Sequence, residues 1–214
     1  MKNEILQKAT QMFLDLGFKS VTMDDLAQEL AISKKTIYTI YSNKSALVED
    51  CTLHLCETID NAIKDLGSEN RHPVDELFQV RSIVKRFLNN EKSAPQYQLQ
   101  KYFPRLFKKL KDRQLMIMRD FLMRNLERGV KQGVYRSDLN PELVYRLHFF
   151  TYFTLRDHDL FPEKLFDPST TILEHLKYHI RGIATPTGAA FLENYLNEHP
   201  ISWSTYFSLR LLSF

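Results

Sequence analysis

Glycine and proline are scarce in this sequence, six and eight of 214 residues. Folds built of strands and tight turns need that punctuation often, so the scarcity disfavours a β protein and favours long helices. Cysteine is scarcer still: Cys51 and Cys56 stand five apart inside an apolar helical pattern. That argues against a disulfide framework and a thiolate zinc site. No run of about 18 uncharged apolar residues occurs, so no membrane-spanning helix and no membrane partner are expected. The opening MKNEILQKATQMF is amphipathic and contains acids, unlike a signal peptide. A reducing cytoplasm is the expected setting. There is no glycine-rich phosphate loop, and Ser, His and Asp are scattered without a nucleophile motif. No enzyme activity and no cofactor are expected.

What is present is an ordinary globular composition, 43% hydrophobic and 26% charged. The net charge of +3 is unevenly spread. Residues 1–60 carry six bases and nine acids, while residues 81–136 carry fifteen bases and four acids. Net charge therefore does not nominate the N-terminal region for nucleic acid. Any such case rests on local placement.

Apolar residues at Ile5, Leu6, Ala9, Met12, Phe13 and Leu16 are spaced by three and four, which predicts a helix over 2–16 stopped by Gly17. Thr22 with Asp24 and Asp25 behind it signals a second, short helix. Ser33 is a good N-cap for a third, over 34–41. Longer helices are expected over 44–66, 73–90, 95–103, 105–132, 141–158, 169–183 and from Thr185-Pro186 to about Asn197. Ile201–Phe214 holds eight large apolar residues and one charge, Arg210. It reads as a docking segment or a poorly ordered end.

The stretch Thr22-Met-Asp-Asp-Leu-Ala27 … Ala31-Ile-Ser33-Lys-Lys-Thr36-Ile-Tyr38 has the layout of a helix-turn-helix, whose second helix enters the major groove. Lys34 and Lys35 sit in the first turn of that helix, where they oppose the helix dipole, so phosphates or guanines would have to reward them. The expected DNA-contacting set is Thr22, Met23, Ser33, Lys34, Lys35, Thr36, Tyr38, Thr39, Tyr41 and Lys44. Over residues 2–50 the chain resembles the TetR family of bacterial transcriptional regulators. The resemblance is carried by Phe13 … Gly17, Thr22 … Leu26-Ala27, Ile32-Ser33, Thr36, Tyr38, Tyr41, Lys44 and Leu47. The chain departs from the family pattern at Ala31, often Gly, at Lys35, often a small residue, and at Thr39, often His.

The resemblance implies an all-α protein: a three-helix DNA-binding domain at 1–46, a helical ligand-binding and dimerisation domain at 47–200, and the apolar tail 201–214. It implies a repressor released from a near-palindromic operator by a small apolar or amphipathic ligand, acting as a homodimer. Candidate ligand-lining residues are Phe78, Phe87, Tyr102, Phe103, Phe107, Phe121 and Phe149. Candidate dimer residues are Leu143, Leu147 and Phe150 with Leu173, Leu176, Ile180 and Ile183, two stripes fit for a four-helix interface. The basic run Arg105, Lys108, Lys109, Lys111 and Arg113 reads first as a solvated face, with an anionic ligand or attraction of DNA as alternatives. His175 and His179 have a spacing that can bind metal, yet only Glu174 accompanies them, so they read as interface or surface residues and no metal is expected. The rival reading is a helical sensor or adaptor whose N-terminal unit contacts protein rather than DNA.

Overall fold

A computed structural model describes residues 1–68, 70–88, 95–157 and 159–199. Ten helices occur among them: α1 (Lys2–Leu16), α2 (Met23–Glu29), α3 (Lys34–Tyr38), α4 (Lys44–Ser68), α5 (Pro73–Leu88), α6 (Pro95–Tyr102), α7 (Pro104–Lys131), α8 (Pro141–Thr154), α9 (Pro168–Ile183) and α10 (Pro186–Glu198). No strand occurs among the described residues, only one isolated bridge between Tyr135 and Ala184. The apolar tail lies outside the described residues, and so does His158.

The helix starts follow from local chemistry. Pro104, Pro141, Pro168 and Pro186 occupy first-turn positions that need no N–H donor. Asn140, Asp167 and Thr185 accept backbone N–H bonds from Leu143, Thr170 and Gly188. Gly17 ends α1 at φ 86°, a left-handed angle that suits glycine.

Two helices stop earlier than their apolar patterns suggest. α3 ends at Tyr38 rather than 41, where Ile40 N–H bonds Ile37 O in a tighter turn and the Thr39 hydroxyl donates to Thr36 O. α8 ends at Thr154 rather than 158. Arg156 and Asp157 make the same tight bonds to Phe153 and Thr154, and the Asp157 carboxylate then accepts from Asp159 N–H.

Two apolar clusters hold the chain. The head cluster contains Ile5, Phe13, Leu26, Ile37, Leu47, Val48 and Cys51. The body cluster contains Ile63, Leu77, Phe78, Phe121, Leu126, Tyr135, Tyr145, Leu176 and Leu192. α4 serves both, Leu47 to Cys51 in the first and Ile63 with Leu66 in the second. The 46/47 division therefore falls inside α4, with the head cluster reaching Cys51. α6 and the start of α7 also pack on the head through Leu99, Phe103 and Leu106. Under α5, buried Glu76 accepts hydrogen bonds from Asn125 and Arg128, and the Tyr135 hydroxyl donates to Asn125 Oδ1. That closed network anchors the connection from α7 to α8.

The two stripes expected at a dimer face have different fates. Leu143, Leu147 and Phe150 of α8 are 53%, 59% and 44% exposed. Leu173, Leu176, Ile180 and Ile183 of α9 are buried in the body cluster of their own chain. They are core residues, because that face of α9 is covered from within. On the outer side of α9, Tyr178 is exposed.

Candidate nucleic-acid interface

The second and third helices are held at a fixed angle by their caps and by one turn. Thr22 and Asp25 cap each other reciprocally: Asp25 N–H donates to Thr22 Oγ1 at 3.1 Å and Thr22 N–H to Asp25 Oδ2 at 2.8 Å. The Thr22 N–H and hydroxyl, both donating to the Asp25 carboxylate, hold it below its usual range. The turn places Ala31 at φ 53°, a left-handed angle unusual for a residue with a Cβ. Ile32 N–H bonds Ala27 O at 3.0 Å and brings the chain into α3. Ser33 Oγ then accepts from Thr36 N–H at 3.0 Å.

Within α3, Ile37 is wholly buried and fixes the helix's rotation. At about 100° per residue, Lys35 and Thr39 lie opposite Ile37, with Thr36 and Tyr38 on the flanks. Lys34, Lys35, Tyr38 and Thr39 are exposed and Thr36 is half-buried. This is a compact polar and aromatic surface of the kind that reads base edges and phosphates. Lys34 Nζ meets the Asp24 carboxylate of α2 at 2.8 Å, and the hydrogen bond raises the lysine's pKa.

Two members of the expected contact set face inward, and a third is half-buried. Met23 is only 6% exposed and belongs to the head cluster. Tyr41 is 4% exposed, and its hydroxyl donates to Asp50 Oδ2 at 2.7 Å. Burial and that bond push the phenol well up, while the same bond holds Asp50 down. Lys44 is half-buried beside the Lys19 carbonyl, and burial lowers its pKa. Thr22 is exposed, but its hydroxyl is engaged in the cap. Sequence reasoning missed Asn43, whose exposed side chain caps α4 by accepting from Ala46 N–H. An Asn immediately before a helical run is a cap signal that the sequence did offer.

The seven aromatic candidates for a ligand cavity are not gathered. Phe78 stacks on Tyr195 at 4.6 Å, and Phe78, Phe121 and Phe149 are buried core. Phe87 carries the Arg86 guanidinium over its ring, and Phe107 is half-buried. Phe103 packs edge-on against Phe18 of the head at 6.1 Å. Tyr102 and Phe103, with Ser45, Glu49, Arg105 and Lys109, line an open pocket of about 460 Å³ where the α6–α7 connection meets α4. The basic run beside it is not uniformly solvated. Lys109 pairs with Glu49 of α4 at 2.9 Å and Arg113 with Glu57 at 3.3 Å, while Lys111 lies over the Phe150 and Phe153 rings.

Residues 5–51 match the model of the bacterial regulatory proteins of the tetR family. The chain is similar to YdeS of Bacillus subtilis, a helix-turn-helix-type transcriptional regulator, at 28% identity over 65% of this chain and 69% of that one. It is similar to IcaR of Staphylococcus aureus, the negative regulator of the biofilm operon icaADBC, at 25% identity. That match covers 37% of this chain and 42% of the relative. In fold it is similar to SmeT, the repressor of the Stenotrophomonas maltophilia multidrug efflux pump SmeDEF. The TM-score is 0.62 at 14% identity, over 87% of this chain and 91% of that one.

Proposed function

This chain belongs, through residues 5–51, to the TetR family of bacterial regulatory proteins, and from that premise we propose that it is a DNA-binding transcriptional repressor released by a small molecule. The observation that carries this reading is α3. It is rotationally locked by Ile37 and presents Lys34, Lys35, Tyr38 and Thr39 outward. Thr36, Ser33 and Asn43 complete the surface, and Met23 and Tyr41 support it from within the head cluster. The protein binds; it has no catalytic step to perform.

Two copies read a near-palindrome. The exposed apolar face of Leu143, Leu147 and Phe150 on α8, together with exposed Tyr178 on α9, supports a homodimer through these two helices. Such a dimer sets two α3 helices about one DNA turn, or somewhat more, apart. The joint cavity supports a ligand that touches both α4 and the α6–α7 connection. A ligand with an apolar body and an acidic group would take Lys109 from Glu49 and so change how head meets body. SmeT, similar in fold, has been solved in complex with triclosan. A bacterial cytoplasm, where operators are, is the matching compartment, and no helix among the described residues is long and apolar enough to cross a membrane.

The test is selection from a pool of random duplexes at two salt concentrations. A near-palindrome is enriched, its affinity falls steeply with salt, and a well-folded Lys35→Ala/Tyr38→Ala variant loses it. Absent enrichment, with binding insensitive to salt, would instead favour an adaptor that uses the head on protein.

A further inference from the structure

Three imidazoles meet in the seam between α8 and α9. The His148 ring lies 4.2 Å from that of His179 and 5.1 Å from that of His175, centroid to centroid. His148 and His175 are stacked at 24°. Each residue keeps some surface, yet His148 Nδ1, His175 Nε2 and His179 Nε2 are enclosed without a hydrogen-bond partner. Burial lowers all three pKa values, that of His148 far down and that of His179 to about 4. His148 and His179 are lowered further by neighbouring imidazoles. A hydrogen bond to the His148 backbone works the other way on His175.

Among the described residues, no carboxylate acts on any of the three. The charges on the surrounding helices are engaged elsewhere. From α7, Lys111 lies over Phe150 and Phe153, and Arg119 reaches Glu142. On α8, Arg146 also holds Glu142. On α9, Lys177 holds Glu174, and Arg181 holds Glu193 of α10. From α5, Arg81 donates to Ser169. Among the described residues, the seam thus holds no carboxylate that would serve a charged imidazole as counter-ion. No group of three or more His, Cys, Asp or Glu among the described residues is arranged to hold a metal ion.

We propose that His148, His175 and His179 form a proton-operated latch between α8 and α9. While neutral, the stacked rings close the seam. Protonation sets like charges a few ångströms apart in an enclosed site and forces the two helices to separate. The same α8 carries Leu143, Leu147 and Phe150, so opening the seam disturbs that apolar face. Acidification becomes a second input to the molecule, independent of any ligand in the joint cavity.

The sign follows from linkage. An unfolded histidine takes its proton near pH 6.5, whereas these take theirs lower. The latch is therefore fully stabilising above pH 6.5 and is lost as pH falls from there toward 4. For His179 alone, the folding equilibrium constant drops about thirtyfold between pH 7.5 and pH 5.

The experiment follows imidazole proton resonances of the full chain across pH 7.5–4 in the presence of EDTA, with denaturant unfolding at pH 7.5 and 5. Single His→Gln variants assign the peaks. The expected result is at least two seam histidines titrating well below 6.5 and a fall in folding constant of about thirtyfold or more. His148→Phe and His179→Phe keep flat rings without titrating nitrogens and flatten that fall. Seam histidines titrating near 6.5 in the wild type would overturn the latch, and that reading stands even if the variants fail to fold. A pH dependence unchanged in folded variants would overturn it too. So would loss of the ring titrations on adding equimolar Zn²⁺ without EDTA, which would make the seam a metal site.

Discussion

Asp24 and Lys34, 2.8 Å apart, put opposite charges at the edge of the surface that would meet phosphates. Both side chains are well exposed, so the pair adds little to stability. Its effect on binding is larger, because the acid both occupies the lysine and repels phosphate. Asp24→Asn is expected to tighten operator binding about fivefold, with the melting temperature hardly moved. Fluorescence anisotropy on a labelled operator checks this, and unchanged or weaker binding would contradict it. At this scale the sequence was a partial guide. It pointed to Lys34, Lys35, Tyr38 and Thr39 because polar side chains in the first turns of a short second helix have few other uses. It could not separate Met23 and Tyr41 from that set. An aromatic with a hydroxyl fits a groove or a core equally well, and only the Asp50 carboxylate beside Tyr41 decides. Ala31 was legible as a departure at a turn position, and its φ of 53° shows the strain that a glycine there would avoid.

Helices were legible to within a few residues because prolines and capping side chains mark their starts. Their neighbours were not. Period 3.6 states that a helix has an apolar face but not which element covers it. α9 shows the ambiguity: Leu173, Leu176, Ile180 and Ile183 looked like an interface and proved to be core, while α8 left its stripe outside. The histidines escaped for the same reason, since His148 joins His175 and His179 only when α8 crosses α9. The outward stripe makes a direct prediction. Leu147→Glu places a charge on an exposed side chain, so the fold survives, but a dimer packed on α8 does not. Light scattering at micromolar concentration is expected to give twice the monomer mass for the wild type and the monomer mass for the variant. A variant that remains dimeric would move the interface elsewhere.

For the whole molecule, the long α4 is common property of both apolar clusters, and α6 and α7 lend Leu99, Phe103 and Leu106 to the head. Calorimetry tests the result. One endotherm, with van't Hoff and calorimetric enthalpies equal, is expected at pH 7.5, and two resolved transitions would contradict it. A head of about 50 residues is also marginal by size, since small domains bury too little surface.

The shared helix makes melting a collective event. Residues 1–51 excised from the chain would leave the inner side of Phe18 and the first turns of α4 wet, because Phe103 and Leu106 would be gone. Such a fragment would hold its helices only loosely and bind DNA weakly, however intact its contact residues. The cooperativity of the fold, more than the chemistry of a few exposed side chains, then sets how much of this protein must be present for any of it to read a sequence.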